Sequence, residues 1–212
     1  MLFRSTRERN WPVTLTAGIP AGEVQLRPCT FVDEHTYLAL RLVNHDWLAP
    51  WDATTPENPT PRSTSSGFRE MVRSLTRRAR AGTHLPWFIW FRGMDQDDHR
   101  LVGQLTVGPI VGGSARTASL GYWIDEAHAG RGIMTAAVAL SCDHLILQRR
   151  LHRVEINIRP ENRASLRVVE KLGFRDEGLR RRYLHIGGEW ADHQSYALTA
   201  EEVGEGLLAR KL

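Results

Sequence analysis

His128-Ala129-Gly130-Arg131-Gly132-Ile133-Met134-Thr135 is the stretch on which the reading of this chain turns. Before it, Ser119-Leu120-Gly121-Tyr122-Trp123-Ile124 has the composition of a strand. After it, the apolar residues from about Thr135 to Gln148 predict a helix. A strand therefore stops, a loop with two close glycines follows, and a helix begins. Such glycines let the backbone curl and approach a ligand with no Cβ in the way. The helix start presents unpaired N–H groups and the positive end of a dipole. Together these make a site for a phosphate or pyrophosphate, to which Arg131 could add a charged contact. The same loop is equally readable as a tight turn with no ligand. Two nucleotide alternatives fail on spacing. There is no GxxxxGK followed by Ser or Thr, and no GxGxxG with an acid about 20 residues on.

Working outward, Val24 to Arg27 alternates as a first strand, and residues 1–22 read as an irregular lead-in. Phe31 to Val43 has helical apolar spacing, residues 50–66 form a loop rich in Pro, Ser and Thr, and Gly67 to Ala81 reads as a basic amphipathic helix. Strands follow at Pro86–Phe91 and Leu101–Val107. Beyond the glycine loop and its helix come a strand at Arg153–Ile158, a short helix at Arg163–Leu172, and two strands hinged at Gly187-Gly188. The order predicts one α/β domain over 1–212, a mixed sheet with helices on its faces, ending in a tail from 200.

Composition narrows the class. The chain has 212 residues, 42% hydrophobic and 25% charged, ordinary for a soluble domain. No run is long enough to span a bilayer and no apolar signal core opens the chain, so a cytoplasmic location is expected. Cys29 and Cys142 form no CxxC pair, and no cluster has zinc spacing, so no metal is expected. The net charge is +4, and nearly all the positive charge is arginine, which suits phosphate and carboxylate recognition. Arg69, Arg73, Arg77, Arg78 and Arg80 make one helix strongly basic, either a solvated face or a contact for ribosomal RNA or an acidic peptide.

Further along stand Asn157-Ile158-Arg159-Pro160-Glu161-Asn162-Arg163-Ala164-Ser165 and Val168-Val169-Glu170-Lys171-Leu172-Gly173-Phe174. With these segments the sequence resembles the GNAT superfamily of N-acetyltransferases. His128–Thr135 looks like its pyrophosphate loop, and the later pair looks like its N-x-x-S and E-K-L-G-F signature. Asn44-His45-Asp46-Trp47-Leu48-Ala49-Pro50-Trp51, Leu120–Trp123, and Tyr183-Leu184 with Gly188-Glu189-Trp190-Ala191-Asp192-His193 resemble the RimJ/RimL branch, RimJ the more closely. The resemblance covers roughly Val24 to Thr199.

The resemblance implies a mostly antiparallel sheet of about seven strands, splayed in the middle, with about four flanking helices. It implies acetyl-CoA as cosubstrate. Backbone groups of Trp123 and Ile124 would pair with pantetheine in the cleft toward Asn157. Backbone N–H groups of Gly130, Arg131, Gly132, Ile133, Met134 and Thr135 would hold the pyrophosphate, and Asn162 and Ser165 would meet the sulfur end. Ser165 is the candidate for stabilising or protonating the thiolate, or else a helix N-cap or turn residue. Many members carry a glutamate at the position that is Ser119 here, so the usual base is missing. Glu155 could hold a water as base, or simply pair with an arginine. Glu189 and Tyr183, near the closing hairpin, are further possibilities, as is attack by an already neutral amine. Trp47, Trp51 and Trp190 read either as core or as substrate walls, and the resemblance implies that Trp47 and Trp51 stand near the peptide entrance. His128 reads as a hydrogen-bond partner within its loop. The implied acceptor is the N-terminal alanine of a ribosomal protein. A small amine, or a non-catalytic ribosome-assembly role, is the alternative. The chain is expected as a monomer or homodimer.

Overall fold

The computed structural model describes residues 11–58 and 63–211. The first ten residues of the expected lead-in, and 59–62 of the expected loop, lie outside them. The strands are β1 (Leu15–Ile19), β2 (Gly22–Pro28), β3 (Leu85–Gly93), β4 (Arg100–Val111), β5 (Thr117–Ile124), β6 (Arg153–Ile158), β7 (Arg175–Ile186) and β8 (Glu189–Thr199). The helices are α1 (Glu34–Val43), α2 (His45–Leu48), α3 (Ser65–Arg80), α4 (Ile133–Asp143), α5 (Arg163–Leu172), α6 (Ala200–Val203) and α7 (Leu208–Lys211). The eight strands form one sheet in the order β1-β2-β3-β4-β5-β6-β8-β7. Every neighbouring pair is antiparallel except β5 and β6, which run parallel.

Strand alternation sorts the core onto two faces. On β3, Trp87, Ile89 and Phe91 join the main core, which packs under α4, while Phe88 joins Tyr37 of α1 and Phe68 and Val72 of α3 on the other face. The buried aromatics each contribute roughly 1.5–3 kcal/mol by leaving water. α4 is apolar on all sides, with Ile133 to Cys142 all buried, as befits a helix wedged between a sheet and other helices. It continues into one π-helical turn over His144–Gln148. α3 starts at Thr64, whose hydroxyl accepts the Gly67 N–H at 3.1 Å. Its Arg69 is tied to Glu34 at 2.7 Å, and its last arginines sit where positive charge favours a helix C-terminus.

Two expectations change at the ends of the chain. The lead-in contains β1, which pairs with β2 from Leu15↔Leu26 to Ile19↔Gly22, so Pro20 and Ala21 form a hairpin turn. The tail from 200 is docked. Val203 and Leu207 are buried, and Asp143 at the end of α4 accepts the Leu207 N–H at 2.7 Å and the Leu208 N–H at 3.1 Å.

One feature of the sheet positions the site. β5 and β6 pair at Thr117↔Arg153, Ala118↔Val154, Ser119↔Glu155 and Leu120↔Ile156, and no further. Beyond Leu120 and Ile156 the two strands diverge. The central sheet is therefore split at Gly121–Ile124 against Asn157–Ile158.

Candidate active site

The split is flanked by two cavities. The first, of about 420 Å³, is walled by Ile124, His128, Gly130, Gly132, Met134 and Thr135 on one side, and by Asn162, Arg163, Ser165, Arg167 and Lys171 on the other. The second, of about 660 Å³, is lined by Tyr37, Arg41, Asp52, Gln104, Asn157, Arg159, Tyr183, Leu184 and His193. Leu48, Trp51, Tyr122, Trp123, Asn162 and Ser165 line both. The cavities thus meet where β5 leaves β6.

The first cavity is lined by the N-terminus of α4 and by basic side chains. Gly132 is the N-cap of α4 at φ 82°, and a Cβ built there would meet nothing within 4 Å. The first-turn N–H groups of Ile133, Met134 and Thr135 precede the first intrahelical bond, Ala136 N–H to Gly132 at 3.0 Å. Arg163, Arg167 and Lys171 line the same cavity from α5. Their spacing of four residues, one helix face, is a signal in the sequence that could have found them. The loop is held by a buried network. Asp125 accepts from Asn44 Nδ2 at 2.8 Å and is bonded to His128 Nδ1, while Asn44 Oδ1 accepts the Glu126 N–H at 2.8 Å. His128 is therefore a loop partner. Asn44 is 2% exposed and stands 81 residues from Asp125, so no local pattern announces the pair. Asn44→Ala should cost about 1–3 kcal/mol by orphaning buried polar groups. Thermal unfolding should then fall by several degrees, and an unchanged midpoint would sink the claim.

At the shared centre, Asn162 caps α5 by accepting the Ser165 N–H at 3.1 Å. This leaves the Ser165 hydroxyl available at the junction. The Tyr122 hydroxyl is buried and makes no hydrogen bond of good geometry. Burial pushes this phenol far above its ordinary range, and a looser contact with the Ser165 hydroxyl pulls the other way.

The structure brings Trp123, Ile124, Gly130, Gly132, Met134, Thr135, Asn162 and Ser165 together as expected walls of one cavity. Other placements differ. Trp123 aims its carbonyl at β4, where a Cβ on Gly103 would sit 2.4 Å from it, so its backbone is turned away from the split. By alternation Tyr122 and Ile124 face the split, and the Ile124 carbonyl accepts from Trp47 Nε1 at 3.0 Å. Trp47 lines only the first cavity, whereas Trp51 lines both. Arg131 lays its guanidinium over Phe91, 4.9 Å from the ring centroid, and Ile133 is fully buried, so neither side chain reaches the cavity. Asn157 lines the second cavity rather than the first, with Oδ1 accepting from Ser195 Oγ at 2.6 Å. Tyr183 lines the second cavity.

Glu155 is the main correction. It stands opposite Ser119, where the strands are still paired, and its carboxylate is taken by Arg153 Nε at 2.6 Å. It lines neither cavity, so the arginine-paired reading holds. Glu189 is corrected likewise: it lines neither cavity, and its side chain is 67% exposed, 3.3 Å from the Arg159 guanidinium. The sequence reading missed Arg41, Asp52 and His193, which the fold delivers to the second cavity from α1, the loop after α2 and β8.

A strand pair that diverges over a glycine loop at a helix start invites comparison with known proteins. The family described as "Acetyltransferase (GNAT) domain" matches residues 23–175. The chain belongs to the GNAT acetyltransferase family. It is 33% identical over 175 residues to the "Probable N-acetyltransferase YjcK" of Bacillus subtilis (strain 168), covering 82% of this chain and 93% of that one. It is 28% identical over 159 residues to the "[Ribosomal protein uS5]-alanine N-acetyltransferase" of Escherichia coli (strain K12), covering 75% and 78%. Among solved structures, "Mycobacterium smegmatis RimJ in complex with CoA-disulfide" superposes with a TM-score of 0.86 at 37% identity, over 94% of this chain and 93% of that chain. This GNAT chain is thus an N-acetyltransferase of the RimJ/RimL type, with the open, mostly antiparallel eight-stranded sheet of that fold.

Proposed function

We propose that this enzyme transfers the acetyl group of acetyl-CoA to the α-amino group of a ribosomal protein that begins with alanine, as a single cytoplasmic domain spanning the chain. The observation that carries the reading is the junction of two cavities at the β5–β6 split, with six residues common to both. The residues of the first cavity fit coenzyme A. Gly130 and Gly132 leave room for a pyrophosphate at a helix N-terminus, and Arg163, Arg167 and Lys171 supply positive charge. The Tyr122 and Ile124 backbone groups are the free strand edge for the pantetheine amides, Ile124 on exchanging its bond to Trp47. When bound, acetyl-CoA supplies the acetyl group as a thioester. Ser165, at the junction, would protonate the departing sulfur, with the Tyr122 hydroxyl behind it.

The acceptor reading is supported by the activity for which the E. coli relative is named and by the likeness to RimJ. The second cavity, bounded by Arg41, Asp52, Arg159 and Tyr183, would take the peptide end, and Glu189 would act on it only through Arg159. The arginines at the end of α3 could add a contact with the ribosome. Peptides copied from ribosomal-protein N-termini provide the test. One that begins with alanine should be acetylated at its α-amine at least about 10-fold faster than a version with a bulky first residue, a pocket discrimination of roughly 1–3 kcal/mol. Inert peptides alongside rapid turnover of a small amine would overturn this acceptor.

A further inference from the structure

An amine attacks a thioester only as the neutral base, and an α-amino group is largely protonated below about pH 7.7–8.0. A group in the split that takes a proton would raise the share of attacking amine at neutral pH. Glu155 and Glu189 lie outside both cavities, bound to Arg153 and Arg159. Asp52 lines the second cavity but is ion-paired with Arg41. We propose that His193 on β8 is the catalytic base, accepting the proton of the acceptor ammonium at Nε2. This assignment rests on the acyl-transfer reading of the same site.

The fold places His193 at the opening of the split. Ser195 Oγ donates to Asn157 Oδ1 across the β6–β8 ladder, so these two side chains share a face. Two residues along β8, His193 stands on that same face. The last pair of the ladder is Ile158↔Gln194, so His193 lies just past the end of β6. It is 3% exposed, yet it lines the second cavity.

Its tautomer is fixed. Nδ1 lies 2.9 Å from the Ala191 carbonyl oxygen. A carbonyl can only accept, so Nδ1 carries the proton and Nε2 carries the lone pair. Nε2 makes no hydrogen bond among the described residues. Tyr183 of β7 meets the ring edge-on, centroids 6.0 Å apart, and Arg180 lies over the Tyr183 ring. The imidazole is thus packed, oriented and unprotonated on its free nitrogen.

Its charge state suits the task. Burial pushes the imidazole below its usual value, the Ala191 hydrogen bond opposes this, Arg159 adds to the push, and Asp192 and Glu161 oppose it. His193 therefore stays neutral at a pH where the acceptor amine is still protonated.

The proton balance closes. His193 Nε2 takes one proton from the ammonium. The freed nitrogen pair forms the new C–N bond, the C–S bond breaks, and sulfur leaves with its pair. Sulfur takes the Ser165 hydroxyl proton, the second amine proton replaces it on Ser165, and His193 returns its own to solvent.

His193→Asn is the test, because asparagine can still donate to the Ala191 carbonyl. We expect kcat/KM for the acceptor to fall about 100-fold. The limb on the acid side of the pH profile should move up to the titration of the amine itself, at about pH 7.7–8.0, while calorimetry gives an unchanged Kd for coenzyme A. Retention of wild-type kcat/KM with its acid limb would overturn the assignment. Nitrogen-15 NMR of the wild-type imidazole, without cosubstrate, gives a second readout. The proton should sit on Nδ1, and a proton on Nε2 would overturn the assignment even if the variant fails to fold. If wild type acetylates a small amine and no peptide, the acceptor reading fails alone, and His193→Asn is measured with that amine.

Discussion

Gly132→Glu is expected to weaken coenzyme A binding by about 1000-fold or more while leaving the fold intact. Position 132 has φ 82° and open space where a Cβ would go, so a side chain there projects toward the first cavity. A carboxylate about 4 Å from a phosphate meets about 4 kcal/mol of repulsion at an effective dielectric of 20. That is roughly a factor of a thousand in Kd. Left-handed backbone costs an ordinary residue a further ~1–2 kcal/mol, and asparagine tolerates it best. Gly132→Asn therefore separates the two effects. Calorimetry should find most of the affinity kept in the asparagine variant and lost in the glutamate variant. Equal affinities for both would mean that the pyrophosphate lies elsewhere.

Ser165→Ala is expected to lower kcat by about 100-fold or more, the usual scale for removing one donor to developing negative charge. Its backbone N–H, which Asn162 uses to cap α5, is retained, so the helix start survives. Affinity for coenzyme A should change little. Steady-state rates beside calorimetry check both halves. A loss confined to stability, with kcat kept, would reduce Ser165 to a helix-start residue.

Much of the fold is legible in the sequence because burial repeats along the chain. Trp87, Phe88, Ile89 and Phe91 had to be strand, and Ile133 to Cys142 had to be a helix buried on every side. β1 is hidden because it is five residues long, contains Gly18 and is closed by Pro20. The glycine loop is legible because its chemistry is local: two glycines, a helix start and six consecutive amides. What the sequence could not convey is distance across the sheet. Glu155 has the right residue type on the right strand, but the strands separate only beyond it, after Leu120 and Ile156. His193 sits within a segment that stands out for its family likeness. Its imidazole becomes informative only once Nδ1 is seen bound to Ala191. Asn44 and Asp125 join regions that share no pattern.

The two cavities draw on different regions of the fold and share only the residues at the split. Under the proposed assignment of the cavities, donor and acceptor can occupy the enzyme together, each arriving by its own route. Cys29 and Cys142, whose thiols burial holds in the protonated form, line neither route. On that assignment the acetyl group can be handed over in one ternary encounter, with no cysteine of either cavity to carry it.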